Sequence, residues 1–149
     1  MKTENRSMVM LVLSRRVIGG LLKKYIDDRP GMKAFLEYDY NNAKYNAQRY
    51  APDIALVEIP ERYGTPAADT LRFCEEIKGA NRGCRIILLC PENNDTSVGE
   101  CVQAKQQGRI DDFLFYDSTT YYLVSKLEAM LSVEKTQRGN LPKWLNTAN

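Results

Sequence analysis

Five short apolar runs divide the chain, and a stretch with helical spacing follows each of them. The runs are Met8–Leu13 (MVMLVL), Lys33–Tyr38 (KAFLEY), Ile54–Val57 (IALV), Arg85–Cys90 (RIILLC) and Phe113–Tyr116 (FLFY). A strand that is apolar at every position has no side to turn to water, so it belongs in a sheet covered on both faces. KAFLEY is the weakest of the five and reads as lying nearer an edge. Strand followed by helix, repeated along the whole chain, argues for a parallel α/β sheet with right-handed crossovers.

At this length and element count the expected architecture is a doubly wound five-stranded parallel sheet with the flavodoxin-like order 2-1-3-4-5. The helices read as follows. Val17, Ile18, Leu21, Leu22, Tyr25 and Ile26 fall on one face of the first, which Pro30-Gly31 ends. Gly19 and Gly20 lie inside it, each costing about 1 kcal/mol relative to alanine, and close packing against a neighbour is the reading for both. The second helix turns Ala43, Ala47 and Tyr50 inward and stops at Pro52. After a Gly64-Thr65-Pro66 loop, the third buries Ala67, Leu71, Cys74 and Ile77. The fourth turns in Val98, Cys101 and Val102 and ends at Gly108; the last turns in Leu123, Leu127 and Leu131. One domain is expected over residues 1–132, with a polar tail at 133–149 broken by one LPKWL patch.

Composition narrows the function more by exclusion than by assignment. The 149 residues hold 21 Lys plus Arg and 19 Asp plus Glu, a net charge of +2, too weak to argue for direct nucleic-acid binding. With no histidine, the chain cannot build a His-dependent triad, a His-ligated metal site or a His phospho-carrier. Cys74, Cys84, Cys90 and Cys101 have no CxxC spacing and read as free, buried thiols of a reducing compartment. No apolar run approaches the roughly 18 residues of a membrane span, and MVMLVL meets Arg15-Arg16 too soon for a signal peptide. A cytoplasmic location without membrane attachment is expected. No P-loop and no GxGxxG is present, and neither a cofactor nor a metal is expected.

In sheets of this kind, binding groups gather at the carboxyl ends of the strands, near the crevice between strands 1 and 3. Ser14, Arg15, Glu58, Cys90 and Tyr116 fall at those ends. The segment PDIALVEIP (Pro52–Pro60) runs a buried strand straight into one acid, Glu58. Over residues 8–132 the element order and this segment resemble the receiver domain of bacterial two-component response regulators. The resemblance implies an aspartate that accepts a phosphoryl group at the end of strand 3, an acid pair after strand 1 that shares a magnesium ion with it, a hydroxyl after strand 4 and a lysine after strand 5. This chain departs from that pattern at each place. Ser14-Arg15-Arg16 follows strand 1, Glu58 stands at the acceptor position, Cys90 replaces the hydroxyl, and Tyr116 followed by Asp117 replaces lysine-proline. Pro60 also comes early.

The resemblance therefore implies a degenerate member, a non-enzymatic pseudo-receiver that associates with a partner protein or with itself independently of aspartyl phosphorylation. Glu58 is either a structural ion-pair partner of Arg15 or Arg16, or a standing mimic of a phosphorylated aspartate. The resemblance also places association on the face of helix 4, strand 5 and helix 5, where Ala104, Gln107, Tyr122 and Lys126 are expected outward. Cys90 becomes a redox-sensitive thiol if Arg15 lowers its pKa. Two alternatives remain open at this point. One is a binder of a flavin or other small molecule in the cleft, with Arg15 and Arg16 holding an anion. The other is an output regulator whose DNA-binding domain followed the tail.

Overall fold

The computed structural model describes residues 6–61, 66–91, 95–116 and 118–140, with backbone alone for 95 and 133–140. The strands are β1 (Ser7–Val12), β2 (Met32–Glu37), β3 (Ile54–Glu58), β4 (Arg85–Cys90) and β5 (Asp112–Phe115). The helices are α1 (Arg16–Asp27), α2 (Ala43–Tyr50, entered through a single 3-10 turn at Tyr40–Asn42), α3 (Pro66–Ala80), α4 (Asp95–Gln106) and α5 (Thr120–Asn140). All strands run parallel in the order β2-β1-β3-β4-β5, the flavodoxin-like order.

Two apolar layers explain the unbroken runs. Alternate residues point to opposite sheet faces, so a strand buried on both sides can spare none of them. Met10, Val12, Ala55, Val57, Ile86 and Leu88 join Ala47, Leu71, Ile77 and Cys101 beneath α2, α3 and α4. Their neighbours Val9, Leu11, Ile54, Leu56, Ile87 and Leu89 join Leu22, Ile26, Leu123 and Leu127 beneath α1 and α5. The register sets Val12 beside Val57, Glu58 beside Leu89 and Cys90 beside Phe115, so the strands finish nearly level.

Side chains cap the middle of the β2 edge at Ala34. Asp27 Oδ1 accepts from the Ala34 amide at 2.9 Å, and Lys23 Nζ donates to the Ala34 carbonyl at 3.0 Å and to Asp27 Oδ2 at 2.6 Å. Partial burial raises the pKa of Asp27, but the Lys23 bond and the Ala34 amide outweigh it and hold the carboxyl below its ordinary value. Capping at Ala34 interrupts the row of open groups that another chain could pair with.

The helix faces correct several expectations. On α1, Leu22 and Ile26 are buried, whereas Val17, Leu21 and Tyr25 are 80, 43 and 42% exposed. Gly19 lies in the buried row: a Cβ there would stand 2.6 Å from the Tyr38 hydroxyl and 3.1 Å from Leu36 Cδ2. That close approach turns the sheet-facing row toward 18, 19, 22 and 26 and leaves the neighbouring row 17, 21, 25 outside. Gly20 has nothing within 4 Å of such an atom, so close packing accounts for only one of the two glycines. On α2, Tyr50 is half-exposed with its ring 4.9 Å from that of Phe35; the helix ends on Ala51 in the left-handed conformation, ahead of Pro52. On α4, Val102 is 39% exposed and Ala104 only 1%, the reverse of their expected positions. The stripes on α3 and α5 hold as read, with Val124 added. Helix α5 continues past residue 132 to Asn140, so the expected tail begins as helix. Gly64, Thr65, Asp117 and the LPKWL patch lie outside the described residues.

Substituting Gly19→Ala is expected to lower stability by about 1–2 kcal/mol, because overpacking against Tyr38 and Leu36 exceeds the gain in helix propensity. Urea denaturation of the variant against the parent chain measures it.

Candidate functional site

Three strand ends carry the site. Ser14 and Arg15 follow β1, Glu58 is the last residue of β3, and Tyr116 follows β5. Glu58 is 1% exposed, so its carboxylate has almost no water and must be satisfied by the protein. It is. Oε1 accepts from the Ser14 amide at 2.7 Å, the Ser14 hydroxyl at 2.9 Å and the Arg15 amide at 3.3 Å. Oε2 accepts from Arg15 Nε at 2.7 Å, which makes this contact a salt bridge as well.

The longer side chain matters here. Glutamate carries one methylene more than aspartate, which brings its carboxylate across to the amides after β1. The Arg15 guanidinium is flanked on its other side by Tyr116, whose ring centroid lies 4.3 Å from Cζ. The Tyr116 hydroxyl donates to the Ile59 carbonyl, and the Tyr40 hydroxyl donates to the Glu58 carbonyl at 2.6 Å. Burial, with the Glu58 charge as a second cause, pushes the Tyr116 phenol far above its ordinary value, so it remains a neutral donor. The ends of β1, β3 and β5 are thus joined through one arginine.

Four of the expected site residues, Ser14, Arg15, Glu58 and Tyr116, do come together. Arg16 does not join them: it stacks on Tyr38 at 4.3 Å. The two arginines are committed to different partners, which removes the basis for an anion held between them. Cys90 is fully buried, and what lowers its pKa is a hydrogen bond with Cys101 on α4, not Arg15; the same contact and burial raise Cys101. Burial also pushes Cys74 and Cys84 up to about 12. Of the expected interface residues, Gln107 and Tyr122 are exposed and Lys126 is half-buried, while Ala104 is in the core. Among the described residues, no cluster of three or more Cys, Asp or Glu could hold a metal ion, and no helix is long and apolar enough to cross a membrane.

The sequence reading missed the contribution of Tyr40 and a cavity of about 480 Å³ beside Ser14 and Pro60. Tyr38, Tyr40 and Phe73 wall it, and Asp39, Asp69 and Arg72 rim it. Two carboxylates against one guanidinium do not suit the phosphate of a flavin nucleotide. The segment EYDYNN (Glu37–Asn42) supplies two of the three aromatic walls, but nothing in its spacing marks it as a wall.

Solved structures similar to this chain include receiver domains and response regulators. The signal receiver domain of an HD domain-containing protein from Pseudomonas fluorescens Pf-5 superposes with a TM-score of 0.69 at 18% identity, covering 95% of this chain and 98% of that one. A two-component response regulator from Clostridium difficile gives 0.68 at 20% identity, covering 85 and 97%. NtrX from Brucella abortus, solved with ADP, gives 0.71 at 19% identity over 90% of this chain, which spans only 28% of that protein. No family model matches the sequence, and no curated protein matches it either. The chain therefore has the response-regulator receiver fold, a five-stranded parallel sheet with five helices.

The substitution Glu58→Gln is expected to cost about 1–3 kcal/mol, since an amide leaves the Arg15 guanidinium without its anion and turns an NH₂ toward existing donors. Thermal or urea unfolding reads this directly. An unchanged midpoint contradicts the saturated carboxylate described above.

Proposed function

We propose that this chain is a receiver-like signalling module that works by protein association and does not depend on aspartyl phosphorylation. The observation that carries this reading is the saturated carboxylate. Magnesium needs open oxygen ligands, and both oxygens of the buried Glu58 are already engaged, Oε1 by the Ser14 amide and hydroxyl and the Arg15 amide and Oε2 by Arg15 Nε. Arg15 adds a positive charge where the receiver pattern places an acid pair, and that charge repels a second cation. Glu58 in this account fixes the β1, β3 and β5 ends in one arrangement.

Association is assigned to the face of α4, β5 and α5, in a form corrected from the sequence reading. The α4 row facing β5 is Val98, Val102 and Lys105, and Lys105 pairs with Asp112 of β5 at 3.0 Å. Phe113 and Phe115 lie half-buried on edge strand β5, rings 5.7 Å apart. On α5, Tyr121, Ser125 and Glu128 approach Arg29 near α1, which leaves Tyr122 and Lys126 on the β5 side. In this reading Phe113 and Phe115 on β5, Val102 on α4 and Tyr122 on α5 form the apolar part of the face and Gln107, Lys105 and Lys126 its polar part, the composition of an interface core. In this reading the module works in the cytoplasm with a protein partner, without membrane or direct nucleic-acid contact of its own.

The test has two arms. Incubation with acetyl phosphate and magnesium leaves the mass of the intact chain unchanged, and Val102→Glu with Tyr122→Glu weakens capture of the protein that the parent chain retains from its source cell. A stable adduct of about 80 Da, or undiminished capture by the doubly substituted chain, overturns the reading.

A further inference from the structure

The cavity between α3 and the turn after β2 plays no part in the partner contact proposed above. It holds about 480 Å³ beside Ser14 and Pro60, a size that suits a small organic ligand. Its apolar walls are the side chains of Tyr38, Tyr40 and Phe73. The rings of Tyr40 and Phe73 meet edge to face with centroids 5.7 Å apart. The Tyr40 hydroxyl donates to the carbonyl of Glu58, the buried last residue of β3, at 2.6 Å. That bond ties one wall to the sheet and sets its ring in place before any ligand arrives.

The charges at the rim say which ligand. The charged side chains lining the cavity are Asp39, Asp69 and Arg72. Asp69 is spent within α3: it stands in the first turn, 3.4 Å from Arg72. Asp39 is exposed and accepts from the Asn41 amide at 3.0 Å, and among the described residues no cation stands within ion-pair distance of it. Arg15 is held by Glu58, and Arg16, on the ring of Tyr38, is not among the lining residues. One carboxylate is therefore left without a counter-charge beside aromatic rings, whose faces attract positive charge as well. Two of these rings already show that attraction, with Arg16 4.3 Å from the Tyr38 centroid and Arg72 5.9 Å from that of Phe73. We infer that the cavity binds a small organic monocation. Its ammonium group is directed to Asp39, and its apolar body packs against Tyr40 and Phe73. An anion meets the open carboxylate here, and a bare metal ion makes no use of the walls.

The probe is phenethylamine, with 2-phenylethanol as its uncharged counterpart of the same shape. Calorimetric titration of the intact chain at neutral pH is expected to saturate with the amine, and the alcohol is expected to bind at least about tenfold more weakly, the worth of a charge-assisted hydrogen bond. Asp39→Asn keeps an acceptor for the Asn41 amide and removes the charge, so it lowers affinity for the amine by a similar factor and leaves the alcohol unchanged. Arg72→Gln works the other way: it takes away the competing guanidinium, frees Asp69 and tightens the amine. Phe73→Leu weakens both probes. Urea midpoints near that of the parent chain show that the variants are folded. Three results overturn the inference: no saturation at millimolar amine, equal affinity for amine and alcohol, or undiminished amine affinity in folded Asp39→Asn. The first two are read on the parent chain and need no variant. Val102→Glu with Tyr122→Glu leaves amine binding intact, so failure of this site and failure of the α4–β5–α5 face are read separately.

Discussion

A carboxylate buried to 1% exposure has to find its counter-charge and its donors inside the protein. In this chain Glu58 finds them in the two residues that follow β1, and much at that end of the sheet follows from the choice. Ser14 and Arg15 are held by their amides to Oε1, which fixes the path of the chain into α1. The Arg15 side chain is held by Oε2, which presents its flat face to Tyr116. Tyr116 in turn bonds to the main chain after β3. Removing the Arg15 side chain leaves the buried Glu58 carboxylate without its counter-charge, so these groups are coupled.

That arrangement separates the receiver fold from the chemistry the fold usually carries. The sheet brings together the same strand ends, but the positions after β1 supply a hydroxyl and a guanidinium, and these consume the carboxylate they surround. Under the proposed function, the working part of the molecule is its surface.

The sheet was legible because burial on both faces forces continuous apolar runs, and β4 falls on the very residues of RIILLC. The meeting of Ser14, Arg15, Glu58 and Tyr116 was legible for the same reason: parallel strands that start level end level. The helix faces were less so. Two apolar rows, 17-21-25 and 18-22-26, run side by side on α1, and periodicity alone does not say which one meets the sheet; Gly19 under Tyr38 decides it. Likewise Ala104 and Val102 are both apolar and two positions apart, and only the seating of Cys101 and Ala104 in the core, with Lys105 reaching Asp112, shows the rotation of α4. The Cys90–Cys101 contact joins residues whose meeting depends on that same rotation, which is why Arg15 looked like the nearer influence.

The measurement closest to the central claim is the Nε–H resonance of Arg15 in a ¹⁵N-labelled sample, followed through a magnesium titration. A guanidinium locked between Glu58 and Tyr116 gives a slowly exchanging, shifted signal that does not move with millimolar magnesium beyond the change caused by sodium at equal ionic strength. A saturable, magnesium-specific shift of that signal, with matching shifts at the Ser14 and Arg15 amides, means the carboxylate is open to the metal and contradicts the account.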